Sequence, residues 1–177
     1  DPMSVAISVI ENNTIYFIDE INMTGSNTDQ VCDELRRRYP NSRIIMYPDA
    51  AGRQRKTSAG GRTDISILQN AGFKINVKMS NPPIRDRVNA VNSKLSNSHG
   101  VRSLFVDPKC KQIIKSLESM TYKPNTSIIN NDDNTHMSDA VGYLVDFLYP
   151  LRTNYSSPQP TRWAFSKNTQ GVAHARY

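Results

Sequence analysis

Short runs rich in β-branched residues alternate along the chain with segments whose apolar residues recur at helical spacing, and that alternation restricts the fold more than any other feature. Val5-Ala6-Ile7-Ser8-Val9-Ile10 and Thr14-Ile15-Tyr16-Phe17-Ile18 flank the turn cluster Glu11-Asn12-Asn13 and read as an opening hairpin. Asn27 or Thr28 caps a helix carrying Val31, Leu35 and Tyr39, with Arg36, Arg37 and Arg38 on its exposed face and Pro40 as its stop. Arg43-Ile44-Ile45-Met46-Tyr47 is a buried strand ending in a turn, which puts Asp49 at a strand's C-terminal end.

The pattern then repeats. Thr63 or Asp64 caps a helix running to Gly72, followed by a strand from Phe73 to Val77. Asn81-Pro82-Pro83 opens a helix with Ile84, Val88, Val91 and Leu95 on one face, and Val101 to Val106 is the fifth strand. Lys109 to Met120 is a helix with the stripe Cys110, Ile113, Ile114 and Leu117. After polar loop sequence, a last helix from about His136 to Tyr149 has Asp139 near its first turn. A hairpin leading into crossover units implies an α/β chain with a mixed sheet flanked by helices.

The 177 residues suffice for one core, which we place over residues 1–150, with the Ser-, Thr-, Asn- and Pro-rich stretch 151–177 as a flexible C-terminal tail. Trp163 and Phe165 are its candidate anchors for a partner. A net charge of +6 and a pI of 9.4 suit a polyanionic partner without identifying one. The two cysteines, Cys32 and Cys110, form no CxxC or Cys/His cluster, which argues against a zinc site or disulfide scaffold and for a reducing compartment. No apolar run approaches a membrane span and no signal peptide is evident, so a soluble intracellular protein with no membrane partner is expected. The abrupt start, with Asp1-Pro2-Met3 running almost straight into a strand, suggests a piece of a longer polypeptide.

Phosphodiester hydrolysis requires cations held between carboxylates, and acidic residues at converging element ends supply such a site. Asp49 and Asp139 are candidates, although position alone makes the first a Pro-Asp turn residue and the second an acid near a helix N-terminus. His136, three residues before Asp139, either orients a ligand or caps the helix. Arg53, Arg55 and Lys56 follow Asp49 in a loop, Ala51 to Gly61, that reads as mobile and basic, suited to a DNA backbone or simply to solvent. Gly52, Gly60 and Gly61 do not form a nucleotide-binding loop, because the GxxxxGK[ST] pattern is missing. Asp19-Glu20 is expected to be solvated, as is Asp132-Asp133.

The wording around the two aspartates adds what their position does not. Tyr47-Pro48-Asp49-Ala50-Ala51-Gly52 and His136-Met137-Ser138-Asp139-Ala140-Val141-Gly142-Tyr143 resemble two motifs of the large-terminase nuclease family, the packaging enzymes of tailed phages. In that family a strand ends in an aspartate followed by small residues, and an H-x-x-D-A-x-x-Y element opens the final helix. Asp1-Pro2-Met3 looks like the end of the family's first strand, D-F-N-x-x-P-M, so the resemblance spans about residues 1–150.

The resemblance implies an RNase H-like fold and a metal-dependent endonuclease that cuts concatemeric viral double-stranded DNA with little sequence preference. It implies Asp49 and Asp139 as catalytic ligands of Mg²⁺ or Mn²⁺, two ions in all, with a further catalytic aspartate a few residues before Asp1. The implied partners are portal protein, small terminase subunit and an ATPase domain upstream in the same polypeptide, and the implied location is the host cytoplasm. Two other readings remain open: a catalytically inert DNA-binding or docking module of the same fold, and another RNase H-fold nuclease such as a junction resolvase.

Overall fold

The computed structural model describes residues 3–54, 61–121, 123, 126 and 135–151. Arg55, Lys56, Asp132, Asp133 and the proposed tail beyond Leu151 lie outside them.

Strands β1 (Met3–Glu11) and β2 (Thr14–Met23) form an antiparallel hairpin across Asn12 and Asn13, whose φ angles of 47° and 63° match a tight two-residue turn. Asparagine tolerates this left-handed region better than most residues, which is why Asn-Asn can close the hairpin. Strand β5 (Leu104–Val106) joins β2 in parallel, giving the order β1-β2-β5. Strands β3 (Ile45–Met46) and β4 (Lys74–Ile75) pair in parallel as a separate two-stranded sheet. Both are shorter than the five-residue runs from Arg43 and Phe73 suggest; Asn76 continues the pairing by one backbone bond to Met46.

A bulge decides how the sheet packs. The register passes from Ile7↔Asp19 to Ser8↔Phe17, leaving Ile18 without an opposite residue. An extra residue swaps the faces of everything beyond it. Ile15 and Phe17, before the bulge, pack with the helices α3 (Ile84–Leu95), α4 (Lys111–Ser119) and α5 (Thr135–Leu148). Ile21, after it and of the same parity, packs on the opposite face against Val31 and Leu35 of α1 (Thr28–Arg38). The bulge thereby makes one hairpin the middle layer between two groups of helices.

It also corrects the expectation that Asp19 and Glu20 are solvated. Asp19 points to α1 and accepts from Arg38 and Tyr39, while Glu20 points the other way and accepts the N–H groups of Gln112 and Ile113 at 2.9 and 2.8 Å. Those donors belong to the first turn of α4, so Glu20 supplies the cap that Cys110, the residue preceding the helix, does not.

Helices α1 and α2 begin where their caps predict. Asn27 and Gln30 form a reciprocal capping box on α1, and Thr63 and Ser66 form another on α2 (Asp64–Asn70). Helix α2 packs Ile67 and Leu68 against Cys32 of α1. Ile113, Val141 and Val145 are fully buried in the core on the α3–α5 side. Among the described residues, no helix is long and apolar enough to cross a membrane.

Candidate metal centre

Asp49 lies three residues beyond β3, where Pro48 has ended the strand and the chain turns into a short 3-10 helix, Ala50–Arg53. Its Oδ1 accepts the Ala51 N–H at 2.7 Å, so the carboxylate caps this turn. Asn81 holds it from across the site: its Nδ2 donates to the same Oδ1, and its Oδ1 accepts the Ala50 N–H at 2.9 Å. Among the described residues, Asp49 Oδ2 receives no hydrogen bond.

Asp139 sits on α5, one turn after His136. Its Oδ1 is 2.8 Å from Nη2 of Arg87 on α3. Arg87 is 6% exposed, and its guanidinium carbon lies 4.5 Å from the centre of the Tyr143 ring. Gly142 leaves room for the Arg87 stem, since a Cβ there would stand a tight 3.1 Å from both Cγ and Cδ of Arg87. Burial pushes the Asp139 carboxyl above the ordinary aspartate value, Arg87 and His136 draw it back, and the charge of Asp49 raises it again. The Tyr143 hydroxyl is pushed up to about 12, chiefly by burial, so it stays protonated at neutral pH.

Asp49, His136 and Asp139 line one groove of about 750 Å³, with Tyr143 beside them and Asp64 further along. Residues of β1, the segment from Ser42 to Asp49, α1 and α5 contribute to its lining. The two aspartates, distant in sequence, are thus brought together. Asp64 accepts from Thr28 at 2.7 Å, a structural engagement between α1 and α2.

Arg53, an exposed residue, is engaged with the backbone. Its guanidinium donates to the carbonyls of Val77, Lys78 and Met79, fixing the turn after Asp49 to the segment after β4. The expectation of a mobile basic loop from Ala51 is therefore corrected for its first residues, which form an ordered turn through Arg53. Sequence reasoning also missed Arg87. It lies on the same stripe as Ile84, Val88 and Val91, which was the available signal that it points inward.

Carboxylate oxygens with an imidazole nearby are hard donors that suit Mg²⁺ or Mn²⁺. Among the described residues no group of three His, Cys, Asp or Glu stands close enough to hold an ion. Two carboxylates still fit small octahedral cations, which keep several waters and use substrate phosphates as ligands. Cysteine chemistry is disfavoured, because burial pushes the Cys110 thiol up to about 11.

A mixed sheet layered between two groups of helices fits an RNase H-like fold. The sequence matches the terminase RNase H-like domain over residues 1–146, and the chain belongs to that family. In fold it is similar to the large terminase of a thermophilic bacteriophage solved with ATP-gamma-S, at 16% identity and a TM-score of 0.63, over 84% of this chain and 37% of that one. It is also similar to the large-terminase nuclease domain of bacteriophage SPP1 solved with bound Mn, at 19% identity and a TM-score of 0.53, over 81% of this chain and 77% of that one. The chain spans little more than a third of the first of these proteins. No curated protein matches the sequence.

Proposed function

We propose that this chain is a divalent-metal-dependent endonuclease domain that cuts concatemeric viral double-stranded DNA during packaging, with Asp49 and Asp139 as its metal ligands. The observation that carries the reading is their convergence: two carboxylates on different elements line one groove, and the charge of one raises the pKa of the other. A cation shared by the two carboxylates would offset the repulsion between them.

A bound divalent ion would polarise the scissile phosphate and lower the pKa of an attacking water. Asp49 and Asp139 would supply the oxygens for it, and His136, which lines the same groove one turn from Asp139, would orient a water. The net charge of +6 supports binding to phosphates without base readout, and Arg55 and Lys56 are the cations proposed for that contact. Portal protein, small terminase subunit and an upstream ATPase domain are the partners that family membership suggests.

A second reading is an inert DNA-binding module, favoured by the Arg87 ion pair already on Asp139. Cleavage of supercoiled plasmid in Mn²⁺ separates the two. The chain is compared with Asp49→Asn, Asp139→Asn and a version extended by about ten residues upstream, where the family's further aspartate is expected. Metal-dependent cutting lost in both Asn variants supports the nuclease. Failure of the extended protein to cut, or full cutting by both variants, refutes it; retention of DNA without cutting then favours the module.

A further inference from the structure

Each carboxylate of the proposed centre is engaged through one oxygen only, and one short segment supplies a side-chain partner to both, beside the Ala51 N–H that also donates to Asp49. Asn81 donates to Asp49 Oδ1 and accepts from Ala50. Arg87, six positions later, sets Nη2 2.8 Å from Asp139 Oδ1. Pro82 and Pro83 link the two with restricted backbone, and α3 begins immediately after them. Arg87 cannot simply drift: it is 6% exposed, stacked 4.5 Å from Tyr143, and passes over the space that Gly142 leaves. Oδ2 of neither aspartate receives a hydrogen bond from the described residues.

We infer that Asn81 and Arg87 are positioning residues, which fix one oxygen of Asp49 and of Asp139 so that the other oxygens are presented jointly to a divalent cation. The inference rests on the nuclease reading above. Arg87 makes it testable by sign. A cation beside a metal site repels the metal, so by charge alone its removal strengthens metal binding. If Arg87 instead sets the geometry of Asp139, its removal weakens binding despite the lost repulsion.

The test is Mn²⁺ titration calorimetry on the chain and on Asn81→Ala, Arg87→Met and Arg87→Lys, with folding of each followed by circular dichroism. Asn81 is exposed, so its variant keeps the fold even where a change at buried Arg87 does not. Affinity about tenfold weaker in Asn81→Ala and Arg87→Met is expected, with Arg87→Lys also weakened because an ammonium lacks the planar stack on Tyr143. Unchanged affinity in Asn81→Ala, or equal or tighter binding in folded Arg87→Met, overturns the inference. Asp49→Asn and Asp139→Asn serve as controls: if they bind Mn²⁺ as well as the parent, the nuclease reading itself fails and takes this inference with it. If only they lose binding, the positioning role alone is wrong.

Discussion

Replacing Arg87 by methionine and Asp139 by asparagine, singly and together, isolates the ion pair that ties α3 to α5. The charged atoms are 2.8 Å apart, with side-chain exposures of 7% for Arg87 and 36% for Asp139. Unit charges at about 4 Å between their centres attract by about 4 kcal/mol at an effective dielectric of about 20. Asp139 is more than a third exposed, so water screens about half of this and leaves about 2 kcal/mol. Asp139→Asn strands a buried guanidinium and Arg87→Met strands a partly buried carboxylate, whereas the double variant strands neither. The double variant is therefore expected to lose about 2 kcal/mol less than the sum of the singles, equivalent to about 4–8 °C in Tm for a chain of this size. Urea unfolding at pH 7 measures it. A coupling below about 0.5 kcal/mol would mean that the pair behaves as an ordinary surface bridge and that the burial argument is wrong.

Other consequences are independent of that pair. Ile113→Ala removes a fully buried side chain from the α3–α5 side of the core and is expected to cost about 3 kcal/mol in urea unfolding; a loss under about 1 kcal/mol would contradict the packing. Glu20→Ala uncaps α4 and is expected to cost about 1 kcal/mol, with amide exchange at Gln112 and Ile113 accelerated; unchanged exchange there would refute the cap. The Asp139 carboxyl, raised first by burial and also by Asp49, holds its proton more tightly in the folded chain than in the unfolded one. Its contribution to stability is thus lost as pH rises from the ordinary aspartate value through the raised one, and metal binding strengthens across the same window. Asp49→Asn removes a raising influence, so carboxyl NMR should show Asp139 titrating at lower pH; no shift would mean that the two carboxylates do not interact.

Helix starts were legible in the sequence because caps are local: Asn27 with Gln30 and Thr63 with Ser66 specify their helices within a single turn. The turn at Asn12-Asn13 was legible for the same reason. The bulge at Ile18 was not, because Ile15, Phe17 and Ile21 keep one parity and hide the change of face between Phe17 and Ile21. Asp49 and Asp139 were singled out as candidates by the wording around them, but the side chains that contact them were hidden. The stem of Arg87 runs close over Gly142, on a different helix, where a side chain would crowd it. That three carbonyls from the segment after β4 accept from the Arg53 guanidinium was equally hidden. Such contacts depend on tertiary placement, to which local pattern is blind.

The central claim is that Asp49 and Asp139 jointly hold a divalent cation. Crystals soaked in Mn²⁺ and measured for anomalous scattering test it most directly. The account predicts a peak in the groove with oxygens of both carboxylates at about 2.1 Å, lost in Asp49→Asn and Asp139→Asn crystals. A peak elsewhere on the chain, or none in the groove at saturating Mn²⁺, would contradict it.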